Sequence, residues 1–207
     1  MRAPRSGGGR IAGESDALIK YLYLTRPEWA DTWVNGGEIP IKPASTYLSD
    51  VRSGTNTPDE TRIHSFPQHV DSFKPHIGIG WAKGMVLRGN IIDGVLQPDS
   101  VVDHYRDDGI ILSFCNQASH EIMTKLGKTA CVQIDPIEEL KAGIDEQLGL
   151  KGLAGICRYT SDHRRDHFLK SVDDAWQSEY RLFWRLQREV VVKIPPGLAK
   201  VVTLTPR

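Results

Sequence analysis

The segment Trp176-Gln177-Ser178-Glu179-Tyr180-Arg181 concentrates residue types that can do chemistry. Glu179 stands where a polar stretch enters an alternating run, Leu182 to Leu186, that reads as a β-strand. A carboxylate at a strand entrance can project into a cleft and stabilise positive charge developing on a substrate. Such a group carries little packing, so its amide is expected to fold normally. The plainer alternative is a surface carboxylate paired with Arg181 or Arg185. A second polar cluster is Asp162-His163-Arg164-Arg165-Asp166-His167. Its two histidines, four apart, would share one helix face and could serve one metal ion. No HExxH pattern or cysteine pair accompanies them, so no metal site is assigned. A metal-dependent hydrolase or nuclease using His163 and His167 stays as an alternative. Arg158, Arg164, Arg165 and Lys170 make this the most basic stretch of the chain, able to contact a phosphate backbone. Cys115, Cys131 and Cys157 are odd in number and set in apolar segments, the pattern of reduced core thiols in a cytoplasmic protein.

These groups need a scaffold, and the apolar pattern outlines one. Leu18 to Thr25 reads as a buried strand. Pro27 then opens a helix carrying Trp29 and Trp33 on one face, stopped by Asn35-Gly36-Gly37. Glu38 to Ser49 is extended, its prolines marking an edge or irregular strand. Asp50 to Lys74 is a long polar connection, the kind that borders binding clefts and selects what enters them. Glycine-punctuated strands are expected at Ile77–Trp81, Gly84–Arg88, Asn90–Leu96 and Gly109–Phe114. A short helix spans Ser119 to Leu126 and ends at Gly127, and Thr129–Ile134 is a strand. Asp135-Pro136-Ile137-Glu138 is the plainest helix start, with Asp135 as cap, and the helix reaches Leu148. Strands at Leu153–Tyr159, Glu179–Leu186, Val190–Ile194 and Lys200–Leu204 complete the reading. Strict βαβ alternation is absent, and no GxGxxG follows the first strand, which argues against a Rossmann domain. The expected class is α+β, with two small packed sheets and interspersed helices.

Bulk properties narrow the function classes. At 207 residues, 40% hydrophobic and 25% charged, the chain has the length and composition of one globular domain. Residues 15–207 are read as that domain and residues 1–14 as a disordered leader without a signal peptide's apolar stretch. Lys+Arg and Asp+Glu both total 26, so no overall positive field draws the protein to nucleic acid or to an anionic membrane. No run approaches the ~20 apolar residues of a membrane span.

The order of these elements resembles the ADP-ribosyltransferases, in the branch that contains DNA-modifying toxins and RNA 2′-phosphotransferases. Tyr23-Leu24-Thr25 corresponds to the end of the family's first strand, Asn35-Gly36-Gly37 to its glycine turn, and Ser45-Thr46-Tyr47 to a second strand with an aromatic residue. Gln177-x-Glu179 is similar to the Gln-x-Glu motif that opens a late strand in several of these toxins. The chain also resembles a group of bacterial proteins thought to share that fold. That likeness rests on Asn56-Thr57-Pro58-Asp59-Glu60, Ser113-Phe114, Phe168-Leu169-Lys170 and the Trp176–Arg181 ending. One departure stands out: Tyr23 occupies the position where many relatives place the His or Arg that grips NAD.

The resemblance implies an ADP-ribosyltransferase-like fold and an enzyme that moves ADP-ribose from NAD, as co-substrate, to a macromolecular acceptor. Glu179 and Tyr47 would be the catalytic residues. Tyr23, Thr25, Arg26, Ser45, Thr46 and Gln177 would hold NAD, with Arg158, Arg164, Arg165 and Lys170 guiding a nucleic acid, the acceptor favoured over protein. It also implies a toxin or phage-defence effector with a neutralising antitoxin. The Tyr23 departure keeps open a catalytically inactive binding protein on the same fold. Strands Leu18–Thr25 and Glu179–Leu186 must then meet around one cleft, although about 160 positions separate them.

Overall fold

The computed structural model describes residues 19–48, 59–73, 79–92 and 94–206. The expected leader at 1–14, the Asn56-Thr57-Pro58 part of one motif, Arg52 and both ends of the long polar connection lie outside the described residues. In chain order the strands begin with β1 Lys20–Leu24, β2 Gly37–Ile41, β3 Arg62–His64, β4 Ala82–Leu87, β5 Ile91–Ile92, β6 Val95–Leu96 and β7 Ser100–Arg106. They continue with β8 Ile110–Cys115, β9 Ala130–Ile134, β10 Leu153–Ile156, β11 Arg158–Thr160, β12 Leu169–Ser171, β13 Glu179–Trp184, β14 Val190–Ile194 and β15 Ala199–Val201. The α-helices are α1 Trp29–Asn35, α2 His120–Lys125 and α3 Ile137–Leu148, and short 3-10 turns occupy Ala44–Tyr47, Val70–Phe73 and Val172–Gln177.

The fold is mixed α+β with mostly antiparallel sheets and few helices. Its centre is a six-stranded sheet in the order β10-β13-β8-β1-β9-β15, every neighbouring pair antiparallel. Side chains alternate across a pleated strand, and the register assigns the two faces. Leu22, Leu112, Phe114, Val132, Leu182 and Trp184 point to one face and join the main core. There they meet Trp33 of α1, Ile137, Leu140 and Ile144 of α3, and Ile39, Ile41, Val192 and Ile194 of the antiparallel β2–β14 pair. Close packing is visible at Gly152, where an added Cβ would lie 2.3 Å from the Trp184 indole nitrogen. Trp184 Nε1 donates to Asp145 on α3 at 2.6 Å, which fixes the indole within the core.

The other face carries Tyr21, Tyr23, Ser113, Cys115, Glu179 and Arg181. Part of it is covered by Ile122, Met123 and Leu126 from α2 and its C-terminal turn, together with Trp176. Helix α2 starts where Ser119 Oγ accepts from Ile122 N at 3.3 Å and ends at Gly127, whose φ of +63° suits a left-handed stop. A three-stranded sheet, β3-β7-β4, and the hairpin β5–β6 complete the strand pairs, with one parallel pair, β11–β12.

Several sequence expectations need correction. Ser45-Thr46-Tyr47 forms a 3-10 turn, because the strand ends at Ile41 and Pro43 redirects the chain. Trp29 and Trp33 do not share a buried face; Trp33 is in the core, while Trp29, first residue of a seven-residue helix, is 46% exposed beneath Arg26. The long polar connection contains β3 and a 3-10 turn, anchored by buried Thr61, His64, Phe66 and Val70. Strand β7 lies where no element was expected, and no strand occurs at 79–81. Leu153–Tyr159 divides into β10 and β11. Helix α3 has Pro136, not Asp135, at its N-cap, without a side-chain cap bond. The Asp162–His167 stretch is not helical, so the expected one-face pairing of His163 and His167 fails. Among the described residues no helix is long and apolar enough to cross a membrane.

Candidate functional site

Glu179 is the first residue of β13, and the backbone before it is unusual. Ser178 closes the Val172–Gln177 turn at φ 45°, ψ 55°, a left-handed conformation that costs a non-glycine residue energy. Asn116, just past β8, holds it there: its backbone N and Nδ2 both donate to Ser178 O, at 2.8 and 2.7 Å. Glu179 N donates to Tyr159 Oη at 2.9 Å and Glu179 O accepts from Cys157 N at 2.8 Å. With its backbone fixed on both sides, the carboxylate is aimed onto the polar face, level with Cys115 of β8 and, beyond it, Tyr21 of β1.

The expectation of a lightly packed or surface carboxylate is overturned. Glu179 is 4% exposed and Arg181 2% exposed. Arg181 Nε donates to Glu179 Oε1 at 2.7 Å, and Lys170 Nζ donates to Glu179 Oε2 at 2.8 Å. Arg181 also meets Glu60 at 2.7 Å, and Lys170 lies 3.7 Å from Glu60 and 3.9 Å from Asp174. Gln177 accepts from Lys170 at 2.9 Å. Burial alone would raise the Glu179 carboxyl, but Arg181 and Lys170 outweigh it and hold it below the usual carboxylate range. Glu60, Asp174 and Glu179 all face Lys170 or Arg181 in this cluster. Arg185, the other expected partner, pairs instead with Asp107 at 3.1 Å.

Beside this cluster lies a cavity of about 240 Å³. Glu179, Gln177, Tyr23 and Tyr47 all line it, with Tyr21, Glu60, Ser113, Cys115, Lys128 and Lys170. Residues from the two distant strands therefore meet at one cleft, and Glu60 brings the long polar connection to its edge. Tyr23 is buried; its hydroxyl donates to Gln117 O and accepts from Ser119 N, both at 2.8 Å, leaving the ring to form the wall. Burial pushes its hydroxyl pKa up. Tyr47 is 40% exposed at the rim. Cys115 also lines the wall, but burial and the nearby Glu179 push its thiol up to about 12, so it is no nucleophile near neutrality. Cys131 and Cys157 are likewise unpaired, buried and pushed up to about 12.

Other expected site residues fall elsewhere. Ser45 faces Asp108, its Oγ bonding the carboxylate at 2.6 Å. Thr46 and Arg26 are exposed and line no part of the cavity. Thr25 lies outside it too, but accepts from Lys128 Nζ at 2.8 Å. Lys170 is not a nucleic-acid contact: it is 6% exposed and belongs to the Glu179 cluster. Each arginine of the basic stretch is matched by an aspartate: Arg158 with Asp166, Arg164 with Asp162, and Arg165 with Asp59. Sequence reasoning missed Glu60, Ser113 and Arg181 as site residues, although all three stood inside quoted motifs, and it missed Tyr21 and Lys128 altogether. The period-two pattern that places Tyr21 with Tyr23, and Ser113 with Cys115, was the available signal.

The histidines divide between two places. His167 stacks on Phe183 with ring centroids 3.8 Å apart and bonds Asp107 at 3.2 Å. His163 joins His64, 4.5 Å away, and His69, 5.1 Å away, with His104 5.0 Å from His64. Burial, then the neighbouring rings, lowers His64 to about 4, so this cluster is built around an uncharged imidazole at neutral pH. Among the described residues no three metal-donor side chains form a metal-binding group. The hydrolase alternative, which needs His163 and His167 together, is therefore not supported by the geometry. No family model, curated protein or solved structure matches the chain.

Proposed function

We propose that this chain transfers ADP-ribose from NAD to a macromolecular acceptor, on an ADP-ribosyltransferase-like arrangement of the six-stranded sheet and the β2–β14 pair. The observation that carries the proposal is an ionised, buried Glu179 at the mouth of β13, lining one cavity with Gln177, Tyr23 and Tyr47. Sites that enclose a whole drug-sized ligand occupy ~300–1,000 Å³. At about 240 Å³ this cavity suits one ring and its sugar, with the attached phosphate at its margin and the rest of a dinucleotide outside.

The chemistry asks for what these residues offer. The bond between nicotinamide and ribose C1′ breaks, nicotinamide leaves with the electron pair, and positive charge builds on the ribose. An acceptor heteroatom then bonds C1′ and releases its proton. A fixed carboxylate accepting a hydrogen bond from a ribose hydroxyl stabilises that charge most in the transition state. Glu179 Oε2 already accepts from Lys170 Nζ and Arg181 Nη2, while Oε1, which accepts from Arg181 Nε, keeps acceptor capacity for a ribose hydroxyl. Tyr21, Tyr23 and Tyr47 offer aromatic surface for a planar nicotinamide ring. The acceptor we favour is nucleic acid, and the biological setting a toxin or phage-defence effector with a neutralising partner. With Arg158, Arg164 and Arg165 already paired, the acceptor is selected at the cleft and not by a broad basic face.

A second reading has its own observation. Both Glu179 oxygens are already bonded within a buried charge cluster, the arrangement of a structural ion network in a non-catalytic binding protein. Incubation with labelled NAD and cell lysate separates the two. Transfer of label to nucleic acid is the expected result. Label on protein alone would replace the acceptor and keep the chemistry, and no incorporation into any fraction would favour the non-catalytic reading.

A further inference from the structure

The cavity contains a second lysine whose situation is the reverse of Lys170's. Lys128 follows Gly127 in the turn between α2 and β9, and the turn is anchored by Lys128 N on Met123 O at 2.9 Å and Thr129 N on Leu24 O at 2.9 Å. Its ammonium bonds the neutral Thr25 hydroxyl at 2.8 Å. Among the described residues no carboxylate pairs with it. Burial lowers its pKa, and among the described residues no charge acts to restore it. A half-desolvated cation left without a counter-ion is an unfavourable arrangement that an anion would relieve.

Its position gives that anion a place along the cleft. Tyr21 is level with Cys115 and Glu179, and Tyr23 lies one strand repeat further on, about 7 Å. Thr25 and Lys128 stand beyond Tyr23, toward the α2 end of the sheet. The cleft is thus anionic at Glu179, aromatic along Tyr21 and Tyr23, and cationic at Lys128. A molecule with a planar ring and sugar at one end and a phosphate at the other matches this order.

We propose that Lys128 is an anion-binding residue of the cleft, taking a phosphate or pyrophosphate of the ligand whose sugar meets Glu179. The choice of NAD as that ligand rests on the function proposed above; the phosphate site itself does not.

The test is binding of three probes, NAD, nicotinamide riboside and inorganic pyrophosphate, to the full-length protein and its Lys128→Met variant by calorimetry. A hydrogen bond to a charged group contributes ~1.5–3 kcal/mol, so the variant is expected to bind NAD and pyrophosphate roughly ten-fold or more weakly. Nicotinamide riboside, which lacks phosphate, is expected to bind both proteins alike. The variant's thermal midpoint should not fall, because no ion pair is removed. Pyrophosphate binding that depends on Lys128, without any NAD binding, would uphold the phosphate site and defeat the NAD reading. Equal affinity of both proteins for the phosphate probes, no phosphate binding at all, or an equal loss for nicotinamide riboside would overturn the proposal.

Discussion

Two clusters in this molecule bury polar side chains, and they do so in opposite ways. Around Glu179, full charges are buried and paired: Arg181 lies between Glu179 and Glu60, and Lys170 touches Glu179 at 2.8 Å. Around His64, buried at 1% exposure, the rings of His69, His104 and His163 pack together about an imidazole that is kept uncharged. The paired cluster retains a carboxylate able to act on a developing positive charge. The histidine cluster serves to tie β3 to the 162–166 segment, where His64 and Arg165 exchange backbone bonds at 2.8 and 2.9 Å. That tie has a consequence for the site. Glu60 lies just before β3 and Lys170 just after the 162–166 segment, so the histidine cluster positions two members of the charged one.

The comparison breaks most sharply at Arg181. Removing one partner of a buried ion pair typically costs ~3–5 kcal/mol, so Arg181→Met is expected to lower unfolding free energy by about that amount in urea. Its neighbour Leu182 faces the apolar core, and Leu182→Ala is expected to cost ~2–5 kcal/mol through a cavity. The two should part in activity: Leu182→Ala should keep the turnover of each folded molecule, and Arg181→Met should lose it. Equal activity in both would show that the charged cluster is only scaffold.

Acid should undo the clusters in sequence. In the folded chain His64 is lowered from 6.5 to about 4, so the unfolded chain binds more protons between those values. Stability is fully present above pH 6.5 and falls as pH drops toward 4. Glu179 is lowered below its ordinary 4.5, so its contribution is present above 4.5 and is lost only in stronger acid. Urea midpoints measured from pH 7 to 3 should therefore decline in two stages. His104 and His167, also lowered by burial, share the first, so His64→Leu should reduce it while sparing the second. A first stage unchanged in His64→Leu would assign it to other groups.

Much of the scaffold was legible because period-two and helix-stop signals are local. The Tyr21/Tyr23 strand, the short helix that stops at Gly127 and the entry of Glu179 into β13 follow from neighbouring residues alone. The misreadings have long-range causes. Ser45-Thr46-Tyr47 looks extended, yet Ala44 N bonds Gly109 O at 2.8 Å and Asp108 takes Ser45, which bends the segment into a turn. Strand β7 carries His104, Tyr105 and Arg106, whose polarity hides a strand that only pairing with β3 and β4 reveals. Lys170 reads as surface charge until Glu179, nine positions away, captures it. The Glu60–Arg181 contact spans 121 positions, a separation at which no spacing rule operates.

Nicotinamide release from NAD by purified wild type and Glu179→Gln, with folding of each checked by circular dichroism, tests the central claim most directly. Should the amide fail to fold beside Lys170 and Arg181, Glu179→Asp, which keeps the charge but withdraws it by one methylene, allows the same comparison. The account predicts release by wild type and a rate ~10²–10³-fold lower in the variant, with a much smaller change in NAD affinity. No release by wild type, or a folded variant as fast as wild type, would contradict it.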